Sequence, residues 1–258
     1  MEMRVFRLLR KMTAPRLCGV WLFAALVASG FPGAASAKPD LVLYITSFPG
    51  YMGGPADRPG ILVELTERAA KLKGYNLEIR NVPWTRALKK VLVTPNSIIP
   101  GFSRIPSREK NYSWVVPQMA AQSAFLSQQT SIDSYAQGAA LKVVGVHRST
   151  SHHLDLKNHD FDNLNVIDNV EMSTKMLARG RIQAWYGDVN EYLRRWRDHY
   201  GDGKGKLVVG KILVHEEIWL AGNKDLPKSV ISDLREAMET VIERGDRKEL
   251  LKKYFGRD

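Results

Sequence analysis

Two successive blocks of this chain alternate between a hydrophobic period of two and one of three to four, the signature of strands followed by helices. In the first block, residues 41–46 predict a strand that ends in the turn-rich Ser47-Phe48-Pro49-Gly50-Tyr51-Met52-Gly53-Gly54. Ile61, Leu62, Leu65, Ala69 and Leu72 then recur at helical spacing over 61–73, and Gly74 supplies the stop. Residues 75–82 predict a second strand, Pro83 suits the first turn of a helix running to about 93, and 97–102 predict a short buried strand. A looser stretch rich in Gln, Ser and Ala follows over 120–140. The second block predicts strands at 142–146, 165–168 and 182–186, with a helix after the Ser149-Thr150-Ser151 cap hydroxyls and another at 172–178 closed by Gly180. Asp188 is placed to cap a further helix, whose Val189, Tyr192, Leu193, Trp196 and Tyr200 share one face as far as Gly201. Strands at 206–209 and 217–221 and helices at 227–244 and 247–255 complete the chain.

Two β-α-β-α-β blocks joined by polar connectors point to an α/β protein of two lobes. Lobe one is expected over 38–121 plus 215–258, and lobe two over 122–214. Ligands in such folds lie at the carboxyl ends of strands, against helix N-termini. The interlobe cleft is therefore the expected site, and hinge closure the expected motion.

Residues 1–37 read as a secretory signal peptide. Arg4, Arg7, Arg10, Lys11 and Arg16 precede an apolar run over 17–31, and Ala35-Ser36-Ala37 ends the segment. That run is shorter than the roughly 20 residues a helix needs to cross a bilayer. Cleavage is expected after Ala37, which places the mature protein in the periplasm. Cys18, the one cysteine, leaves with the leader, so disulfides, cysteine-ligated metals and a cysteine nucleophile are excluded from the mature chain. At 258 residues less the leader, the chain is long enough to be held by its core alone.

The full chain carries a net charge of +11, and beyond the leader 33 basic side chains face 26 acidic ones, net +7. The excess is scattered in pairs such as Lys89-Lys90 and Lys252-Lys253, without the dense basic tract and interleaved aromatics of a nucleic-acid groove. No nucleic-acid partner is expected. Catalytic patterns are sparse: there is no G-x-S-x-G elbow, and His215-Glu216-Glu217 lacks the second histidine of a zinc-protease helix. Residues 201–206, although glycine-rich, follow a helix and read as a surface turn. His147, His152, His153 and His159 cluster without a carboxylate at ligand spacing, and read as solvated or capping groups. No cofactor and no metal is implied.

Three features have both a structural and a functional reading. Arg108 follows a strand end and could bind a carboxylate bidentately, or lie at the surface beside Glu109. Asp188 could cap its helix alone, or also meet a ligand ammonium. Ser149, Thr150 and Ser151 could cap a helix, or deliver hydroxyl and N–H donors to an anion.

The order of several short motifs resembles bacterial extracellular solute-binding protein family three, the polar amino-acid receptors of ABC importers. These motifs are Gly60-Ile61-Leu62-Val63-Glu64-Leu65, Pro83-Trp84-Thr85-Arg86-Ala87-Leu88, Ser107-Arg108-Glu109-Lys110 and Trp114-Val115-Val116-Pro117. In the second half they are Val144-Gly145-Val146-His147-Arg148-Ser149-Thr150-Ser151, Leu177-Ala178-Arg179-Gly180-Arg181-Ile182-Gln183-Ala184 and the terminal Lys252-Lys253-Tyr254-Phe255-Gly256. The resemblance implies a two-lobe type II periplasmic binding fold with a hinged interlobe cleft. By position it implies that Arg108 holds a ligand α-carboxylate and Asp188 its α-ammonium. It further implies that Ser103, Thr150 and Ser151 supply polar contacts, and that Phe48, Tyr51 and Trp84 form aromatic cleft walls. The implied partners are a small zwitterionic or carboxylate ligand and a membrane permease, with the receptor a monomer. Ser149 stands where the family has glycine, Gln183 where it has aspartate, and 93–101 departs from its usual approach to the cleft strand. Such a divergent branch keeps two alternatives open, a lyase or dehydratase on the same fold and a diffusible ligand sensor. Glu64, Glu216 and Glu217 are the acids available to the former.

Overall fold

The computed structural model describes residues 38–201, 203 and 205–256. The expected leader, its cleavage point and Cys18 lie outside the described residues, as do two positions of the 201–206 turn. The first block is β1 (Leu41–Ile45), α1 (Ile61–Leu72), β2 (Leu77–Asn81), α2 (Trp84–Val93) and β3 (Ser97–Ser103). β4 (Tyr112–Ser127) and α3 (Tyr135–Ala139) lead to the second block: β5 (Val144–His147), α4 (Ser151–Asn158), β6 (Leu164–Ile167), α5 (Glu171–Ala178), β7 (Ala184–Asp188) and α6 (Val189–Tyr200). β8 (Val208–Val209), β9 (Val214–Asn223), α7 (Lys228–Glu243) and α8 (Asp246–Phe255) finish the chain. Among the described residues no helix is long and apolar enough to cross a membrane.

Local chemistry accounts for the boundaries that shape the cleft. α1 begins at Gly60, whose φ is 118° and where a Cβ would stand 2.4 Å from the Tyr51 carbonyl oxygen. Only glycine lets the loop after β1 close so tightly on the helix start. From there Ile61, Leu62, Leu65 and Ala69 bury one face of α1. α7 follows Pro227 and buries Val230, Leu234, Met238 and Val241 at the same spacing.

β1 lies between β2 and β3, parallel to both, and β5 lies likewise between β6 and β7. Backbone pairing does not break between the two blocks: the strand order is β2-β1-β3-β9-β4-β7-β5-β6, with β8 on β4. The antiparallel pair β4 and β9 carries the ladder across. β9 pairs with β3 only from Ile218 onward, and β4 pairs with β7 only from Ser123 onward. Between those limits, Ala120 to Gln122 and His215 to Glu217 form a two-stranded ribbon with no third strand beside it.

The apolar cores do divide. Two clusters draw their buried residues from 41–121 and 218–254, and two others from 125–207, with none in common. α7 and α8 pack on α1 and on each other, and α7 also packs on β4.

The expectation of a loose connector over 120–140 is corrected. Its first residues belong to β4, and α3 lies within it, capped by Ser134. β4 buries Gln118, Ala121, Ser123 and Ala124, so a composition that reads as loop is in fact interior strand. Ladder pairing with β9, joined by β7 from Ser123 onward, specifies such a strand, and side-chain apolarity contributes little to its signal. β9 likewise starts three residues before the expected 217, because His215 and Glu216 hide its polar beginning.

Candidate functional site

The loops after β1 and β3 and the N-terminal turn of α2 meet the carboxyl ends of β5 and β7 around one cavity of about 70 Å³. Phe48, Tyr51, Trp84, Ser103 and Arg108 line it from the first block. Thr150, Ser151 and Asp188 line it from the second, so all eight positions singled out in the sequence reach the same space. Direct contacts close the two blocks over it: Tyr51 OH donates to Asp188 Oδ1 (3.0 Å), Trp84 Nε1 to the Ser149 carbonyl (3.2 Å), and the Ser103 and Ser151 hydroxyls meet at 2.9 Å.

Arg108 is 7% exposed. Its Nη1 donates to the Ser103 carbonyl (3.0 Å), its Nη2 to the Ser149 carbonyl (3.1 Å), and its guanidinium lies over the Phe102 ring at 4.2 Å. No carboxylate of the described residues forms an ion pair with it, and burial pushes its pKa down to about 10, still charged at neutral pH. The surface reading beside Glu109 is corrected, since Glu109 pairs with Arg104 instead. Two carbonyl contacts leave three of the five guanidinium N–H groups for another acceptor.

Asp188 caps α6, its Oδ1 accepting from the Glu191 N–H (2.8 Å) as well as from Tyr51. Its Oδ2 accepts from the Gln122 N–H at 3.3 Å, so the ribbon between β4 and β9 touches the site directly. Burial pushes this carboxyl upward, against the hydrogen bonds that favour its anion. Thr150 is the cap of α4: its hydroxyl accepts from the His153 N–H (3.2 Å) and donates to the His147 carbonyl (2.8 Å). Ser151 divides its hydroxyl between Ser103 and Glu216 (3.4 Å).

Ser149 explains its own departure from the motif. Its φ is +61°, a left-handed conformation that favours glycine, and it turns the carbonyl toward both Arg108 and Trp84. Gln183 is exposed and accepts from the Lys142 N–H. The aromatic walls pack on one another, with Phe48 5.5 Å from Trp84 and Tyr51 5.2 Å from Phe255.

Four titratable lining residues were not assigned to the cleft from the sequence: His147, His152, Glu191 and Glu216. Glu191 reads from the sequence only as a first-turn acid of α6 and Glu216 only as one of three available acids, while His147 lies inside a motif and His152 directly after it. His147, read as solvated or capping, is buried beside Phe48, and desolvation with Arg195 nearby pushes its pKa down to about 4. His159 stacks on Tyr135, and the His153 Nδ1 accepts from the Ser149 N–H. Glu191 is neutralised by the buried Arg195, which also reaches Glu171 (2.6 Å) and the Ser47 carbonyl (3.3 Å). Of the three acids available to an enzyme, Glu64 is held by Lys253 and Tyr254, Glu217 is exposed, and only Glu216 lines the cavity. Among the described residues no group of three His, Cys, Asp or Glu side chains is placed to hold a metal ion.

No family model and no curated protein sequence matches the chain. Solved structures do. A histidine kinase sensor domain with similarity to periplasmic binding proteins superposes with a TM-score of 0.76 at 15% identity, covering 85% of this chain and 97% of that one. An ancestral arginine-binding protein bound to arginine gives 0.74 at 18%, covering 85% and 99%. The GluR0 ligand-binding core from Nostoc punctiforme in complex with L-glutamate gives 0.73 at 19%, covering 84% and 99%. One neighbour holds a cationic side chain and another an anionic one, so ligand choice does not follow from fold. What does follow is the architecture: the chain has the two-lobe α/β fold of type II periplasmic binding proteins, with the cavity in its interlobe cleft.

Proposed function

We propose that this protein is an exported receptor that closes its two lobes on a small zwitterion or carboxylate. The observation that carries the reading is Arg108, a buried guanidinium with free donors and no carboxylate in direct ion-pair contact among the described residues, lining a cavity whose opposite wall presents Asp188. A buried cation without a partner is costly, and a ligand carboxylate supplies the missing anion. An α-ammonium would meet Asp188, where it competes with the Tyr51 hydroxyl. The ligand touches both groups only when the lobes are together, so its binding energy drives closure. The cavity is about half the volume of an engineered 150 Å³ cavity that admits benzene, and a larger solute enters by opening of the cleft.

The lobes are taken as 38–121 with 215–258, and 122–214. The divided cores support these limits, and the unflanked ribbon of β4 and β9 is the natural hinge. Delivery to the permease of an ABC importer, a periplasmic location and a monomeric state complete the proposal. The fold neighbours support transport, and the similarity to a sensor domain supports a second reading, in which the closed form is presented to a signalling partner. An enzyme is less well supported, because Asp188 and Glu191 are already engaged as a cap and in an ion pair.

The test is a thermal-shift screen with amino acids, polyamines and small organic acids. A ligand at about 100 times its Kd stabilises the folded state by roughly 2.7 kcal/mol. Protection by carboxylate-bearing compounds that disappears in Arg108→Met supports the receptor. Protection only by compounds without a carboxylate rejects the assigned clamp.

A further inference from the structure

A second cavity, of about 360 Å³, adjoins the first and shares with it the wall formed by Ser151, His152 and Glu216. Its polar lining is acidic. Asp155 and Glu216 face it, and none of the residues lining it is a lysine or arginine, in a chain that is otherwise strongly basic. Asp155 is held in place by the Tyr135 hydroxyl at 2.8 Å and by the Tyr186 hydroxyl, both on its Oδ2. Glu216 accepts from the Ser151 hydroxyl at 3.4 Å, has the His152 Nε2 at 3.8 Å, and feels the charge of Arg108 from the first cavity without a direct ion pair.

An independent observation marks the space as a place for a ligand. Ser123 lines it from β4, is 1% exposed, and its Oγ has no hydrogen-bond partner. The His152 Nε2 is likewise buried without one. Buried polar atoms are ordinarily satisfied, and two orphans on one wall await an occupant with polar atoms of its own. An anionic occupant would be repelled by both carboxylates, and an apolar one would leave the Ser123 and His152 atoms without partners.

We propose that the two cavities form one compound site, in which the second takes the cationic arm of an elongated ligand, an ammonium or guanidinium on a flexible chain. This rests on the clamp formed by Arg108 and Asp188 and assigns the substrate class of that same site. Glu216 stands at the junction and neutralises the arm as it passes, and Asp155 meets its end. Ser123 Oγ supplies a neutral acceptor between them. Glu216 and Asp155 are the specificity-determining residues, and the basic surface is offset locally by this acidic chamber.

Calorimetry of the purified protein with three probes separates arm from clamp. L-arginine carries both the zwitterion and the cationic arm, L-citrulline replaces the guanidinium by a neutral urea of the same shape, and agmatine keeps the arm without the carboxylate. L-arginine is expected to bind at least tenfold more tightly than L-citrulline. Glu216→Gln and Asp155→Asn, both close in shape to the native residues, are each expected to shrink that ratio below threefold. Equal binding of L-arginine and L-citrulline, including no measurable binding of either, overturns the cationic arm. So does a tenfold preference that both variants leave intact. Equal binding of L-arginine and agmatine overturns the zwitterion clamp instead, and does so independently of the arginine-to-citrulline ratio.

Discussion

Replacing Arg108 by methionine should remove ligand binding while leaving the ligand-free protein about as stable as before. Burial lowers the pKa of the guanidinium from its ordinary value to about 10, and at 1.36 kcal/mol per tenfold this corresponds to a penalty of about 3 kcal/mol in the empty site. The side chain is more than nine-tenths buried, so solvent screening removes little of it. Against the penalty stand two charged hydrogen bonds to the Ser103 and Ser149 carbonyls, each of about 1.5–3 kcal/mol. Methionine loses both kinds of contribution together, keeps a side chain over the Phe102 ring, and leaves the Ser149 carbonyl its bond from Trp84. Opening of the cleft relieves the burial and breaks the Ser149 bond in the same motion, which further narrows the difference. The net change in unfolding free energy should lie within about 1 kcal/mol of zero, as for other replacements of buried charges by apolar groups. Binding is another matter. The ligand carboxylate would be left buried and unpaired, at about 2–5 kcal/mol, or roughly 30-fold to several thousand-fold in Kd. Urea denaturation at neutral pH without ligand reads the first quantity, and calorimetry with the compound returned by the thermal screen reads the second. A ligand-free protein destabilised by about 3 kcal/mol, with affinity unchanged, would show that Arg108 is a brace between the lobes and refute the reasoning.

Other expectations follow from the same geometry. The His147 imidazole is held neutral by burial to about pH 4, whereas in the unfolded chain it takes up its proton near 6.5, so its contribution is full above 6.5 and is lost as pH falls from 6.5 toward 4. Stability should drop by about 2 kcal/mol between pH 7 and pH 5 from this group, and urea titrations of His147→Asn should lack that component. Asp188→Asn retains an equally good cap for α6, so unfolding free energy should move by less than about 1 kcal/mol while ammonium-bearing ligands lose at least about tenfold. Wild-type affinity in calorimetry would reject its assigned role. Ser149→Gly should leave thermal stability nearly unchanged, relief of the left-handed strain offsetting the entropy of glycine, whereas Ser149→Val should cost about 2 kcal/mol. N-terminal sequencing of exported protein should begin at Lys38, and a chain still starting at Met1 would argue against the signal-peptide reading.

Much of the site was legible because its residues sit at positions with a local signature. Asp188 is a helix cap announced by the apolar face that follows, Thr150 lies in a run of three cap hydroxyls, and Arg108 comes five residues after a buried strand. Glu216 and Ser123 carry no such mark, and Glu191 reads only as a first-turn acid of α6. Glu216 sits in a polar strand start, and its place between two cavities depends on how β9 crosses from one lobe to the other. The misread stretch over 120–140 failed for the same reason, since small and polar residues become interior only once strands flank them.

The alternation of strand and helix, the caps and the motif order are properties of neighbouring residues, because hydrophobic period and capping act within a few positions along the chain. The linear pattern was therefore enough for two α/β blocks, and the resemblance in motif order pointed to the eight positions that line the cavity. The continuous ladder through β4 and β9, the burial of Arg108 without a direct ion pair and the acidic second chamber belong to the folded molecule. Each depends on groups far apart in sequence, brought together or kept apart by strand pairing and burial, and desolvation acts only where packing has excluded water.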